Sequence, residues 1–183
     1  MSGMASRLTQ YLRRCGREMV RFGGARRAAT AVEFALIAPA FIATLVAVFQ
    51  TCIFLFAQMV IQDEANQAGR YFMTGQAQNG GWTASTVVNM VCQSALFNCN
   101  NMYIVVQTAA SFAAANTSAP AMYNGSTPIT SYTYSPGSQG DIMVVQLIYA
   151  WPVVSGPLGF NLSNLPNNAA ELMGVSAFRA EPY

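Results

Sequence analysis

The residues of this chain that could do chemistry are four cysteines, seven acids, nine arginines and many serines; histidine and lysine do not occur. The absence of histidine removes the commonest general base and the commonest metal ligand together. With neither histidine nor lysine, no ordinary base can activate a serine. Downstream of residue 62 the carboxylates are Asp63, Glu64, Asp141, Glu171 and Glu181. The first two are sequence neighbours and the others fall at the ends of predicted strands, so no spacing pairs them for acid–base work. No Gly-rich phosphate loop and no metal-ligand cluster occurs. The sequence thus predicts no enzyme, no cofactor and no metal.

Two groups remain, the cysteines and Glu33, and their chemistry depends on where the chain places them. That is set by Phe34 to Gln62, 29 consecutive residues without a charge. At about 1.5 Å per residue such a helix reaches roughly 43 Å, and a bilayer core needs about 30 Å. Thr44, Gln50, Thr51 and Gln58 read as scattered and make no continuous wet face. Pro39 falls near the start, where neighbouring groups in lipid can take up the freed carbonyl. The stretch predicts a transmembrane helix. A cleaved secretory signal is the competing reading, but its apolar region spans only about 7–15 residues.

The flanks orient the helix. Residues 1–27 hold seven arginines against Glu18 alone, whereas residues 28–183 hold Arg70 and Arg179 against six acids. Arginine concentrated on one short flank predicts a cytoplasmic N-terminus, an inner-membrane location and an exported C-terminal part. The exported part is mildly acidic, which excludes nucleic acid as a partner. Cys15 then lies on the cytoplasmic side and Cys52 within the span. Cys92 and Cys99, outside, are expected to form a disulfide in an oxidising compartment. A zinc site would need two further ligands that this part does not offer.

Residues 6–22 place Leu8, Tyr11, Leu12, Cys15, Met19 and Phe22 at helical spacing opposite arginines. A basic amphipathic helix on an anionic leaflet and a merely solvating basic leader both fit. Thr30 and Glu33 fit a capping box, in which an acid is favoured at a helix N-terminus. An acid at the mouth of an apolar run also fits a functional role, as the counter-charge of a partner cation.

The run RRAATAVEFALIAPAFIATLVAVF, followed by QDEANQAGRYF, resembles the TadE-like family of tight-adherence (Tad) pilus assembly proteins, which are pseudopilins or minor pilins. The final FRAEPY is similar to how such chains finish. The resemblance implies prepilin-peptidase cleavage between Ala28 and Ala29, with Glu33 and Phe34 as the recognition pair. Ala28 stands where processed members usually carry glycine. After such a cut Glu33 would be the fifth residue, placed to neutralise a neighbouring subunit's new α-amino group. The implied partners are other Tad pilins or pseudopilins, the pilus assembly machinery, the peptidase and the lipid bilayer.

Beyond the span, Ala65, Ala68 and Gly69 keep a helix plausible to about Thr74. This small-residue face suits packing on the chain's own sheet more than docking on another helix. Val87, Val88, Val91 and Ala95 predict a short helix within Trp82–Phe97. Strands are expected over Met102–Thr108, Ile129–Tyr134, Asp141 to about Ala150, and Glu171–Glu181. The third is apolar on both faces and hence central, with the last beside it. Residues 113–140 are rich in Ser, Thr, Asn, Gly and Pro and read as a long loop, whose Tyr123, Tyr132 and Tyr134 either pack on the sheet or stand exposed.

The expected organisation is a basic leader (1–27), a transmembrane helix with its extension (28–75) and an extracytoplasmic domain (76–183). The fold class is α+β: one long N-terminal helix, then a small pilin-like domain with an antiparallel sheet and one short helix. The expected function is assembly of a Tad pilus. The alternative is a single-pass, membrane-tethered binding module with no pilus role.

Overall fold

The computed structural model describes residues 26–93 and 95–182. The predicted leader helix over 6–22 and Cys15 lie outside the described residues. Two compact units divide the chain between Val46 and Ala47.

Helix α1 runs from Arg26 to Met73, 48 residues, and continues through Pro39. Its hydroxyl groups are satisfied within the helix: Thr44 Oγ1 donates to the Ala40 carbonyl and Thr51 Oγ1 to the Ala47 carbonyl, both at 2.9 Å. Arg70 lies in the last turn, where a cation suits the helix dipole. Gly75, at φ 74°, supplies the left-handed residue that ends the helix. The Met73 carbonyl, left over at this end, accepts the Glu181 N–H at 2.9 Å. The FRAEPY segment is thus tied, through Glu181, to the end of α1.

Two short helices follow, α2 (Gln76–Asn79) and α3 (Ala84–Val91). Thr83 caps α3 by accepting the Thr86 N–H. The predicted helix over Trp82–Phe97 is corrected to these eight residues. It stops because Cys92 leaves helical geometry (ψ 77°) and bonds to Cys99, their Cα atoms 5.8 Å apart. Phe97 is still buried, but from the disulfide loop, edge-on to Tyr149 at 5.1 Å between ring centroids. Its apolar character served that packing and not a longer helix.

The sheet has three antiparallel strands, β1 (Met102–Ala109), β4 (Ile142–Pro152) and β5 (Ala169–Arg179), in the order β1-β4-β5. The strand expected to be central is central. It runs on to Pro152, opposite Ala169, where proline closes a strand without interrupting its middle. Between β1 and β4 a small hairpin, β2 (Tyr123–Asn124) and β3 (Thr127–Pro128), turns at Gly125, φ 63°. The predicted strand over Ile129–Tyr134 is corrected: only Tyr134 is bridged, to Val106. The Val106 N–H donates to Thr133 O at 3.0 Å and its carbonyl accepts from Ser135 N at 2.9 Å. Pro128 and Pro136, on either side, cannot extend that pairing.

One sheet face packs on α1. Ala57, Ile61, Ala65, Ala68 and Phe72 are fully buried at helical spacing, with Leu147, Met143 and Leu172 of the sheet. Side chains stay small here because the backbones are close: a Cβ on Gly174 would collide with the Ile61 carbonyl. The small-residue surface of α1 is therefore spent on the chain's own sheet. The helix also covers the outer edge of β5. Gln58 Nε2 donates to the Met173 carbonyl and Gln62 Nε2 to the Val175 carbonyl, each at 2.7 Å, and Gln62 Oε1 accepts the Val175 N–H at 3.1 Å.

The opposite face is covered by the long loop. Val105, Ile148 and Met122 are buried there with Tyr103, Tyr123 and Tyr132 around them. Gln146, also buried, holds the loop down by donating to the Ser118 carbonyl at 3.0 Å. The tyrosines pack; they are half-buried, and Tyr134 Oη donates to the Trp82 carbonyl at 2.7 Å. Glu171 lies on this face, and burial raises its carboxyl above the ordinary value. The Tyr132 hydroxyl is raised too, first by burial and then by Tyr103, Glu171 and Tyr123.

Replacing Gln62 by Leu leaves the Val175 N–H and C=O without partners at a covered edge. The expected loss is about 2 kcal/mol of unfolding free energy, read from guanidinium titration of the detergent-solubilised chain; no change would remove Gln62 from the edge. For Glu171 the sign follows from its raised pKa. The folded carboxyl holds its proton where the unfolded chain has lost it, so stability is greatest below the unfolded value and falls as pH rises through the folded one. A Glu171→Gln variant is expected to flatten that decline between pH 4.5 and neutrality, checked by the denaturation midpoint against pH.

Candidate functional site

The part of the described chain that its own fold leaves uncovered is the first half of α1. Phe34, Leu36, Ile37, Phe41, Ile42, Leu45, Val48 and Phe49 are all exposed, from 41 % at Leu45 to 75 % at Leu36. Successive residues step by about 100°, so these side chains point to every side of the helix. Such a surface has no stable place in water, and by length and composition α1 is a candidate membrane span.

The covered half begins at Gln50, whose Nε2 donates to the Val154 carbonyl at 3.1 Å. From Arg26 to Phe49 the helix runs about 36 Å, and a bilayer core needs about 30 Å. Beyond Phe49, Ala57 and Ile61 are fully buried. The 29-residue apolar run thus changes along its length, from mostly exposed (Ala43 is buried) to packed on a sheet. Gln50 and Gln58, which read as scattered polar residues, and Gln62 at the end of the run follow one another at eight and four positions and lie along one side of the helix. Each meets a backbone group of the loop after β4 or of β5. Their spacing was the signal that sequence reasoning missed.

Glu33 is exposed near the start of the uncovered half, next to Phe34, which is 72 % exposed. It is the one acid between Arg27 and Asp63. The capping-box reading is corrected: Thr30 and Glu33 both lie inside α1, which already includes Arg26. Ala28 and Ala29 have helical backbone four residues ahead of Glu33. An α-amino group created at Ala29 would lie at the i, i+4 spacing on which helix side chains interact.

The remaining candidate residues fall elsewhere. Cys92 and Cys99 are joined, at the end of α3, and Cys52 is a free, exposed cysteine on α1. Asp141 Oδ2 accepts the Ser138 N–H at 2.7 Å, a turn-forming contact. Glu64 is buried on α1, while Glu171 lies across the sheet under the tyrosines. A groove of about 350 Å³ between α3 and β1 is lined by Val88, Asn89, Asn100, Tyr103 and Tyr132 among others, with no charged side chain. Among the described residues, no group of three or more His, Cys, Asp or Glu side chains is placed to hold a metal. The geometry offers a mostly exposed apolar helix with one carboxylate.

No curated protein matches this chain, and no solved structure does. A family model does match, on the segment just described: that of TadE-like protein, over residues 28–76, so this stretch of the chain is similar to that family.

Proposed function

We propose that the chain is a pseudopilin or minor pilin that acts in assembly of a Tad pilus, held in the inner membrane with its N-terminus cytoplasmic and its domain exported. The observation that carries this reading is the mostly exposed apolar first half of α1, with Glu33 as the one acid between Arg27 and Asp63. The rod stores the subunit in lipid until other pilin-like helices replace lipid around it. The same exposure continues along the outer side of α1 at Ile53, Phe56 and Met59, beyond that first half. That strip gives a neighbouring helix a surface to follow as far as the domain.

Glu33 sets the register. A carboxylate in an apolar assembly is costly unless a cation meets it. The cation is the α-amino group of a neighbouring subunit, freed by prepilin-peptidase cleavage between Ala28 and Ala29, with Glu33 and Phe34 as the residues the peptidase reads. No reaction is assigned to the domain, and the family is not known for catalysis. The domain faces neighbouring subunits and the assembly machinery.

Two measurements test this. A Glu33→Leu variant should still insert and fold, yet fail to support piliation. Leaving a buried ammonium unpaired costs roughly 3–5 kcal/mol, enough to cut incorporation by about two orders of magnitude or more. Normal piliation by an inserted variant would reduce the helix to a tether. Intact-mass spectrometry of membrane-purified protein should give a chain beginning at Ala29; a full-length mass would remove the peptidase from the account.

A further inference from the structure

The loop that follows β4 carries a feature that the domain's own packing does not use. Val154 is 73 % exposed and Leu158 83 %, the two most exposed large apolar side chains outside α1. Single exposed apolar residues are ordinary. These two sit where α1 passes from its uncovered half to its packed half. The Val154 carbonyl accepts from Gln50, and Gly156 lies against the same Gln50 side chain. Gln50 follows directly on the exposed Val48 and Phe49.

The local backbone directs Leu158 outward. Gly156 N–H donates to the Phe160 carbonyl at 2.7 Å, closing a tight loop around Pro157, Leu158 and Gly159. Leu158 takes a left-handed conformation (φ 59°) and Gly159 follows with φ 81°, which leaves the leucine at the loop's tip. A bulky aliphatic residue rarely adopts that conformation. The surroundings suit an interface: no charged residue occurs from Ile142 to Ala170, and the loop is flanked by Trp151 and Phe160, neither fully buried. Trp and other amphipathic rings concentrate at the level of lipid headgroups.

We infer that the loop Val153–Phe160 is a membrane-contacting element, which inserts Val154 and Leu158 into the outer leaflet beside the point where α1 leaves it. The lipid surface is its partner, and the domain is thereby held to the bilayer at two points, the helix and the loop. A single helix lets a domain swivel about its axis; a second contact fixes which side of the domain lies against the membrane. The inference rests on α1 spanning the bilayer as proposed above.

The test uses the full chain in phosphatidylcholine–phosphatidylglycerol vesicles, with Cys15→Ser and Cys52→Ser leaving the Cys92–Cys99 bridge intact. A nitroxide is attached in turn at Leu158→Cys, at Leu45→Cys in the helix and at Ser126→Cys in the β2–β3 turn. Collision with oxygen, enriched in lipid, is compared with collision with a water-soluble nickel chelate. The expected result is that position 158 favours oxygen severalfold over position 126, in the direction of position 45. If 45 lies in lipid while 158 meets the chelate as 126 does, the loop inference fails and the span stands. A water-exposed 45 would overturn both. Shielding of 158 from both reagents, with spin–spin broadening between labels, would mean that a second copy of the chain covers the loop, and would also overturn the lipid contact.

Discussion

Everything in the folded domain depends on how closely α1 lies against β5. At Gly174 the strand and the Ile61 carbonyl of the helix leave no space for even a methyl group. That approach brings Ala57, Ala65 and Ala68 into the core and Gln58 and Gln62 within reach of the strand's outer edge. A larger residue at 174 would lift the helix off all these contacts together. Besides α1, the described residues of the domain form a three-stranded sheet, a small hairpin and short helices. Such a sheet needs a layer against its apolar face to be stable, and α1 is that layer. The candidate membrane span and a layer of the core belong to one helix.

This sharing explains the distribution of polar groups along the helix. In the uncovered half the hydroxyl of Thr44 is turned back onto its own backbone, the arrangement an apolar solvent requires. From Gln50 onward the amides reach outward to other backbone groups. The edges of the sheet are managed as well. Exposed strand edges invite pairing with other chains. Here glutamines from α1 cover β5, and the segment around Tyr134 bonds to β1 at Val106. Association through added strands is therefore discouraged, and contact through the helix is favoured.

Much of this was legible in the sequence because it is written locally. The uncharged run announced a helix, the β-branched runs announced β1, β4 and β5, and the cysteine spacing announced the bridge. The central place of β4 followed from its being apolar on both faces. What was not legible depended on neighbours distant in the chain. Hydropathy does not distinguish lipid from the face of a sheet, so the end of the uncovered half at Phe49 was hidden inside one apolar run. Leu96 and Phe97 looked like a continuing helix because burial was all that the pattern reported. The 129–134 segment had strand-forming residues but a proline on each side, and the prolines prevailed. At the candidate site Glu33 and Phe34 were legible by type, whereas the capping reading failed because α1 already includes residues ahead of Thr30. Gly174, isolated within a strand pattern, was a sign of close backbone approach.

The claim on which the account turns is that the second half of α1 is a layer of the domain and not simply the exit from a membrane span. Native-state hydrogen exchange of the full chain in lipid nanodiscs addresses it most directly. Amides of Ala57–Phe72 should become exchangeable in the same cooperative opening as those of Leu172–Phe178, with the same dependence on denaturant. Exchange along Ala57–Phe72 while the sheet stays protected would contradict the account, since the sheet would then be standing without the helix.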